Sequence, residues 1–434
     1  MPDNRFHLGW FLNFVVDAWN EQWGSGGTPW RGDFYVELAQ AFERAKFDYL
    51  ILEDKLMVSD AYGGTAEADL KHALFSPKHD PVPLVPLIAR ATTRLGIIPT
   101  MSTSFYPPFL LARLCSTLDH ITDGRLGWNI VTSAEDRAAQ NFGLDRLYEH
   151  DTRYEMAHEY VELVSQLWQS WEPDAVVLDR ERSIFADYTK VRPIHFEGRY
   201  YKSRGPLNTV PSPQGRPVFC QAGGSPKGRD FAAKYADTVI AVATGIEGMK
   251  EYRDDIRSRL VEHGREPDDC KILFLVTPIL GETLAEAQAK AERMTQDPHF
   301  IEQALAIQSA ITEIDFSRYD LEHPLPDDIS TNGERGSLEK FIQRGSGKTL
   351  RQLVLDGPLD AVDLIGTPET VADTMGEIMA EVGGDGFLFI SPSMRINRRY
   401  VVEITDGLVP ALQRRGLVRS EYTYEQFRDN LLDF

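Results

Sequence analysis

A parallel (β/α)8 barrel, a TIM barrel with insertions at its carboxyl-terminal face, is the fold class that the sequence predicts. Eight short apolar runs read as strands, helical periodicity fills most of the intervals between them, and polar, glycine-rich segments follow several runs on their carboxyl side. Strands of a parallel sheet covered on both faces are near-continuously apolar, which is what these runs are. The chain has 434 residues, of which 42% are hydrophobic, enough for one large barrel or two ordinary domains. The strand count decides for a single domain over 1–434, with insertions at 56–81, 172–216 and 281–361.

The first predicted strand covers 6–12, and the segment 13–31 after it is a long loop with three tryptophans and a Gly24-Ser-Gly-Gly27 bend. Helical spacing of Leu38, Ala41, Phe42 and Ala45 leads to a second strand at 48–52, which runs out into Glu53 and Asp54. After the first insertion come a helix at 82–91, a third strand at 95–100, and a helix that Pro108 opens and that runs to about Ile121. The fourth strand, 126–131, ends in Thr132 and Ser133. Its long helix, about 152–171, is expected to start on a Thr152/Glu155 capping box. A hairpin is expected around 195–201 in the second insertion. Strands follow at 217–221, 238–243, 271–276 and 386–390, and a last helix at about 398–415 stops at Gly416. Within the third insertion, 321–336 is polar and turn-rich, the composition of a mobile lid.

A formal charge of −20 argues against nucleic acid and against anionic membrane surfaces as partners, and leaves room for a local basic pocket for one phosphate. Cys115, Cys220 and Cys270 are far apart and form no Cys-x-x-Cys pair, so each is expected to be a buried thiol. The start lacks a signal-like apolar region, and no apolar run reaches about 20 residues. A cytoplasmic location is the expectation. His72 and His79 have no carboxylate nearby at ligand spacing, so no metal site is predicted.

In parallel α/β proteins ligands bind at the carboxyl ends of strands, and three stretches there carry chemistry. Gln221-Ala-Gly-Gly-Ser-Pro-Lys-Gly-Arg-Asp230 ends a strand, allows close backbone approach at Gly223 and Gly224, and offers Ser225 as N-cap and Pro226 at the first helical position. Such a turn reads equally as a phosphate seat or as an ordinary capped helix that binds nothing. His150 and Tyr154 are four apart and share a helix face, as ligand contacts or as a structural pair. Asp54 ends the second strand as a ligand acceptor or a solvated acid. On an extended strand, Glu53 beside it points to the opposite side. Thr100 and Ser102 share one side of the third strand, and Ser104 can satisfy the turn. There is no Gly-x-Ser-x-Gly elbow, and no Gly-x-Gly-x-x-Gly after the first strand.

The run Gly124-Arg-Leu-Gly-Trp-Asn-Ile-Val-Thr-Ser133, then Asn141-Phe-Gly143, then Glu149-His-Asp-Thr-Arg-Tyr154 resembles the bacterial-luciferase-like flavin monooxygenases. The similarity points to the branch with nitrilotriacetate, dibenzothiophene-sulfone and long-chain-alkane monooxygenases. It extends from about Phe6 to the last helix, and it implies a two-component enzyme that oxidises a small organic substrate with reduced FMN and dioxygen. It also implies FMN contacts at Asp54, for the flavin N3–H, and at Thr100 and Ser133, with His150, Tyr154, Gly224 and Ser225 at the phosphate or ribityl chain. A separate NAD(P)H-dependent flavin reductase and a homodimer or homotetramer are the expected partners. Some relatives carry a histidine in the loop after the first strand, where this chain has Asp17-Ala-Trp-Asn-Glu21, so no catalytic residue is assigned. Trp19, Trp23, Trp30, Met57 and Tyr62 suggest an apolar or aromatic substrate, or packing between subunits. A deazaflavin-dependent oxidoreductase or a non-catalytic flavin binder on the same fold is the alternative, and a metal-assisted hydrolase would need His and Asp clustered at strand ends.

Overall fold

The computed structural model describes residues 4–13, 19, 31–326, 328–356, 361–392 and 395–434. Eight strands close into a parallel barrel in chain order: His7–Leu12, Tyr49–Leu52, Gly96–Ser102, Gly127–Val131, Val218–Gln221, Thr238–Ala241, Lys271–Val276 and Gly386–Ile390. The last strand pairs with the first, His7 opposite Gly386, which leaves the barrel sheet without an edge. Side chains alternate along each strand. Tyr49, Ile51, Ile98, Val218, Cys220, Ile240, Leu273 and Leu388 fill the lumen, whereas Leu8, Trp10, Leu50, Leu52 and Ile97 pack outward under the helices.

Two glycines make room inside. A Cβ on Gly9 would lie 2.6 Å from the Tyr49 ring, and one on Gly127 would lie 2.6 Å from Ile98. The Tyr49 hydroxyl then crosses the lumen to Thr238 Oγ1 at 3.1 Å. A short final helix, Phe427–Leu431, which the sequence reading did not include, plugs the amino-terminal end with Phe427 and Leu431. There Asp48 accepts from Leu8 N at 2.9 Å and from His7 Nδ1 at 3.0 Å, and pairs with Arg419 Nη2 at 2.8 Å.

Local signals placed most helices. Pro108–Ile121 starts at its proline as expected. The helix near the chain end differs: Arg398–Val402 and Val409–Arg414 flank a π turn at Glu403–Leu408. Pro410 has no N–H to return to the carbonyl four residues back, and a widened turn absorbs the loss. The long helix spans His150–Trp168, two residues earlier than predicted, and no Thr152/Glu155 capping box forms. Asn332 decides its start: its Oδ1 accepts from His150 N at 2.9 Å, a cap delivered from 182 residues away. Glu155 instead accepts from the Tyr200 hydroxyl at 2.8 Å.

The hairpin of the second insertion is present as Phe196–Glu197 against Lys202–Ser203. In the third insertion, helices Leu284–Thr295, Phe300–Thr312, Arg335–Arg344 and Leu350–Leu355 build a cap over the barrel mouth. The segment 321–336 buries more than its composition suggested. Leu321, Leu325 and Ile329 pack against a cluster that includes Leu305, Phe316, Leu338 and Phe341. All three cysteines are buried free thiols. No described helix is long and apolar enough to cross a membrane.

Candidate functional site

The carboxyl ends of the strands and the cap enclose a cavity of about 510 Å³. Asp54, Thr100, Ser133, His150, Tyr154, Gly224 and Ser225 all line it, although they come from four strand ends and one helix start. Of the tryptophans named from sequence, Trp19 is exposed, and Trp23 and Trp30, like the segment Asp17 to Glu21 apart from Trp19, lie outside the described residues.

The Gly-Gly-Ser-Pro turn is built from its backbone. Helix Pro226–Tyr235 begins at Ser225, whose Oγ accepts from Gly228 N at 3.1 Å. First-turn amides have no intrahelical acceptor, and this helix end faces the cavity with its positive dipole. The two glycines differ in role. A Cβ on Gly223 would sit 2.6 Å from the Gly228 carbonyl oxygen, so Gly223 is required for the turn itself. On Gly224 it would meet, among the described residues, only Gly336 Cα, at 3.6 Å. The Tyr252 hydroxyl donates to the Gly223 carbonyl at 2.7 Å and holds the turn from behind.

His150 stands against this turn. Its Nε2 is 3.3 Å from Ser225 Oγ and its Nδ1 is 2.8 Å from Asp151 Oδ1, an arrangement that fixes the ring between a carboxylate and the turn. Burial, with Arg335 and Arg153 nearby, keeps the imidazole below its ordinary pKa. Tyr154 stacks obliquely on it, with ring centroids 5.1 Å apart. Its hydroxyl faces the first helical turn, 2.8 Å from where a Cβ on Gly228 would stand, and burial raises its pKa.

Across the cavity, Ser133 adopts a left-handed backbone (φ 57°) and its Oγ lies 2.8 Å from that of Ser102. Asn129 Nδ2 donates to Thr100 Oγ1 at 2.9 Å. Ser104 turns away, donating to the Thr132 carbonyl at 2.8 Å. Asp54 and Glu53 both line the cavity, contrary to the opposed orientation expected for an extended strand. The strand stops at Leu52, so the two carboxylates lie in a loop that is free of the two-residue alternation. Glu53 is buried in an ion pair with Lys78. Asp54 forms no ion pair among the described residues, and burial pushes its carboxyl up to about 7, with Glu53 and Asp80 adding to the rise against the pull of Lys78.

Several lining groups gave no local signal. Lys55 pairs with Glu135, and with Glu334 at 3.6 Å. Arg335, Gly336 and Lys340 reach the site from the cap. Gly336 approaches so closely that a Cβ would lie 2.8 Å from the Gly224 carbonyl carbon. Lys340 donates to the Val242 carbonyl beside Arg229, and burial lowers its pKa to about 8. Among the described residues, Asn13 Oδ1, Asn129 Oδ1, Gln221 Oε1 and Ser391 Oγ are buried with no hydrogen-bond partner, and all four residues line the cavity. A buried acceptor left unpaired costs about 1–3 kcal/mol, so this set fits a ligand rich in N–H and O–H donors with an anionic end at the helix start.

Residues 6–386 match the model of the luciferase-like monooxygenase family. The chain is 37% identical to the dibenzothiophene-sulfone monooxygenase of Rhodococcus erythropolis, covering 92% of this chain and 89% of that protein. It is 34% identical to nitrilotriacetate monooxygenase component A of Aminobacter aminovorans over 92% and 89% of the two chains. A crystal structure of riboflavin lyase with modified FMN and riboflavin superposes with a TM-score of 0.91 at 30% identity, covering 99% of this chain and 96% of that one.

Proposed function

The chain belongs to the luciferase-like monooxygenase family, and on that premise we propose that it is the oxygenase component of a two-component system. It uses reduced FMN and dioxygen to oxidise a small organic substrate. The observation that carries this reading is the set of unpaired buried acceptors, Asn129 Oδ1 and Gln221 Oε1 foremost, beside a helix start suited to a phosphate. FMN combines a phosphate, a hydroxylated chain and a ring N–H, the groups that this donor and acceptor set would satisfy.

In this reading Gly224 and Ser225 hold the phosphate through backbone amides, with His150 and Tyr154 beside it or beside the ribityl chain. Thr100 and Ser133 contact the flavin, and Asp54 accepts its N3–H. When bound, reduced FMN supplies the activation of dioxygen. The protein binds, orients and keeps water out. Phe75, Met294, Phe300, Ile307 and Ile311 make the cap side of the cavity apolar, which supports an apolar or aromatic substrate. A cytoplasmic homo-oligomer served by a diffusing reductase product completes the proposal.

The test is oxygenation without a nicotinamide site. The purified chain with NADH and FMN alone should show no steady NADH oxidation. With reduced FMN supplied chemically or by a flavin reductase, label from isotopic dioxygen should enter an apolar organic substrate. Steady NADH oxidation by the chain alone would overturn the two-component reading.

A further inference from the structure

Outside the cavity, on the far side of the helix that forms its cap wall, two imidazoles and one carboxylate converge. His72 Nε2 lies 2.8 Å from Glu302 Oε2, and His299 Nδ1 lies 3.4 Å from the same oxygen. The two rings are 5.1 Å apart, and the ligand atoms of all three residues fall within 4.8 Å of one another. His72 is the last residue of helix Glu67–His72, whereas His299 and Glu302 sit at the start of helix Phe300–Thr312, so the group bridges two insertions 230 residues apart in sequence. Glu302, 230 residues from His72, lies beyond the reach of ligand spacing read along the chain.

We propose that this group is a binding site for a divalent transition ion of the Zn2+ class, with three protein ligands and solvent in the remaining position. Metal–ligand distances of about 2.0–2.2 Å place tetrahedral donors roughly 3.3–3.6 Å apart; the His299 contact at 3.4 Å fits that spacing, and the His72 contact at 2.8 Å would lengthen as the ion enters. Two imidazoles and one carboxylate are a ligand set that suits Zn2+ and its neighbours in the transition series, not Mg2+ or Ca2+. His72 is buried and backbone-anchored, its carbonyl accepting from Arg395, so one ligand is already immobile. His299 is half exposed and leaves the solvent side open for entry.

Lys71 brings a charge that opposes binding. Its Nζ lies 3.3 Å from Glu302 Oε2, yet its side chain is 44% exposed and its flexible stem can swing into solvent. Tyr62, raised in pKa by burial and then by Glu302, also faces the group.

The consequence is mechanical. Helix Phe300–Thr312 turns Phe300, Gln303, Ala304, Ile307 and Ile311 to the cavity. Its other side meets Ala68, Leu74 and Phe75 through Ala306 and Ala310, with Ile307, Ile311 and Tyr62 against the same cluster. An ion at His72, His299 and Glu302 would tie the start of this wall to helix Glu67–His72 and stiffen the cavity without entering it.

The experiment uses the full-length, chelator-stripped protein, with Zn2+ titrated against a chromophoric chelator and melting followed in parallel. One equivalent of Zn2+ should bind per chain and raise the melting temperature. His299→Ala and Glu302→Gln should each bind about tenfold more weakly or worse and lose the melting shift. Lys71→Ala should bind at least as tightly as the parent, and His263→Ala, altered at a distant exposed histidine, should bind as the parent does. His299 and Glu302 are partly exposed, so these variants should fold even if His72→Ala does not. Substoichiometric binding, or unchanged affinity in both His299→Ala and Glu302→Gln, would overturn the site. Neither readout involves flavin, so the outcome is separate from the proposed oxygenase activity.

Discussion

Replacing Asp54 by asparagine should have two effects of opposite sign, and both follow from its place at the cavity. The carboxyl ionises at an ordinary 3.8 in the unfolded chain and is pushed up to about 7 in the folded protein, first by burial. Between those values the folded state holds a proton that the unfolded state has lost, so stability falls as pH rises through the window and levels off above it. At about 1.4 kcal/mol per pH unit, the full cost of the ionised form is ~4 kcal/mol. Asp54 is only half-buried, and screening reduces this to about 2 kcal/mol. For a chain of this length the entropy of unfolding is roughly 0.9 kcal/mol per degree, so Asp54→Asn should melt about 2 °C higher at about pH 9. At about pH 5 the gain should be less than about half of that. The same variant should bind reduced FMN about tenfold more weakly at the higher pH, where the parent offers a carboxylate acceptor and the variant a neutral amide. Differential scanning calorimetry at the two pH values, with fluorescence titration of reduced FMN under anaerobic conditions, reads both effects. An equal melting difference at both pH values would refute the burial argument, and unchanged FMN affinity would remove Asp54 from the cofactor site.

The phosphate seat predicts that Gly224→Val loses about tenfold or more in FMN affinity, because its Cα faces the cavity and Gly336, while Ser225→Ala loses less. Riboflavin should bind the parent poorly, and equal binding of riboflavin and FMN would discard the seat. Lys340 loses its charge as pH rises through about 8, so FMN affinity should fall between about pH 7 and about pH 9 in the parent and stay flat in Lys340→Met; a parallel fall in the variant would place the titrating group elsewhere. Phe427→Ala should destabilise by about 3–5 kcal/mol, because the ring fills the barrel floor and touches Gly96 and Tyr49, and a denaturant midpoint close to the parent's would contradict that packing.

The eight strands were legible because a strand covered on both faces must be apolar along its length, and because each ends where polar or glycine-rich residues begin. That the seven candidate residues line one cavity has a related reason. A barrel brings all its strand ends to one rim, so residues as distant as Asp54 and Ser225 meet without any local code for the meeting. The sequence by itself also identified the Ser225–Pro226 helix start, whose capping depends on neighbours within a few residues. Only the tertiary structure decided the rest. Helix His150–Trp168 starts where Asn332 caps it, Gly336 is a glycine because Gly224 lies against it, and His72 finds Glu302 only once the cap has docked. Those choices depend on how separate insertions close over the barrel, and periodicity carries no information beyond a few turns of chain. Glu53 shows the limit within a single residue: alternation governed it only as far as the strand ran, and past Leu52 the pairing with Lys78 set its direction.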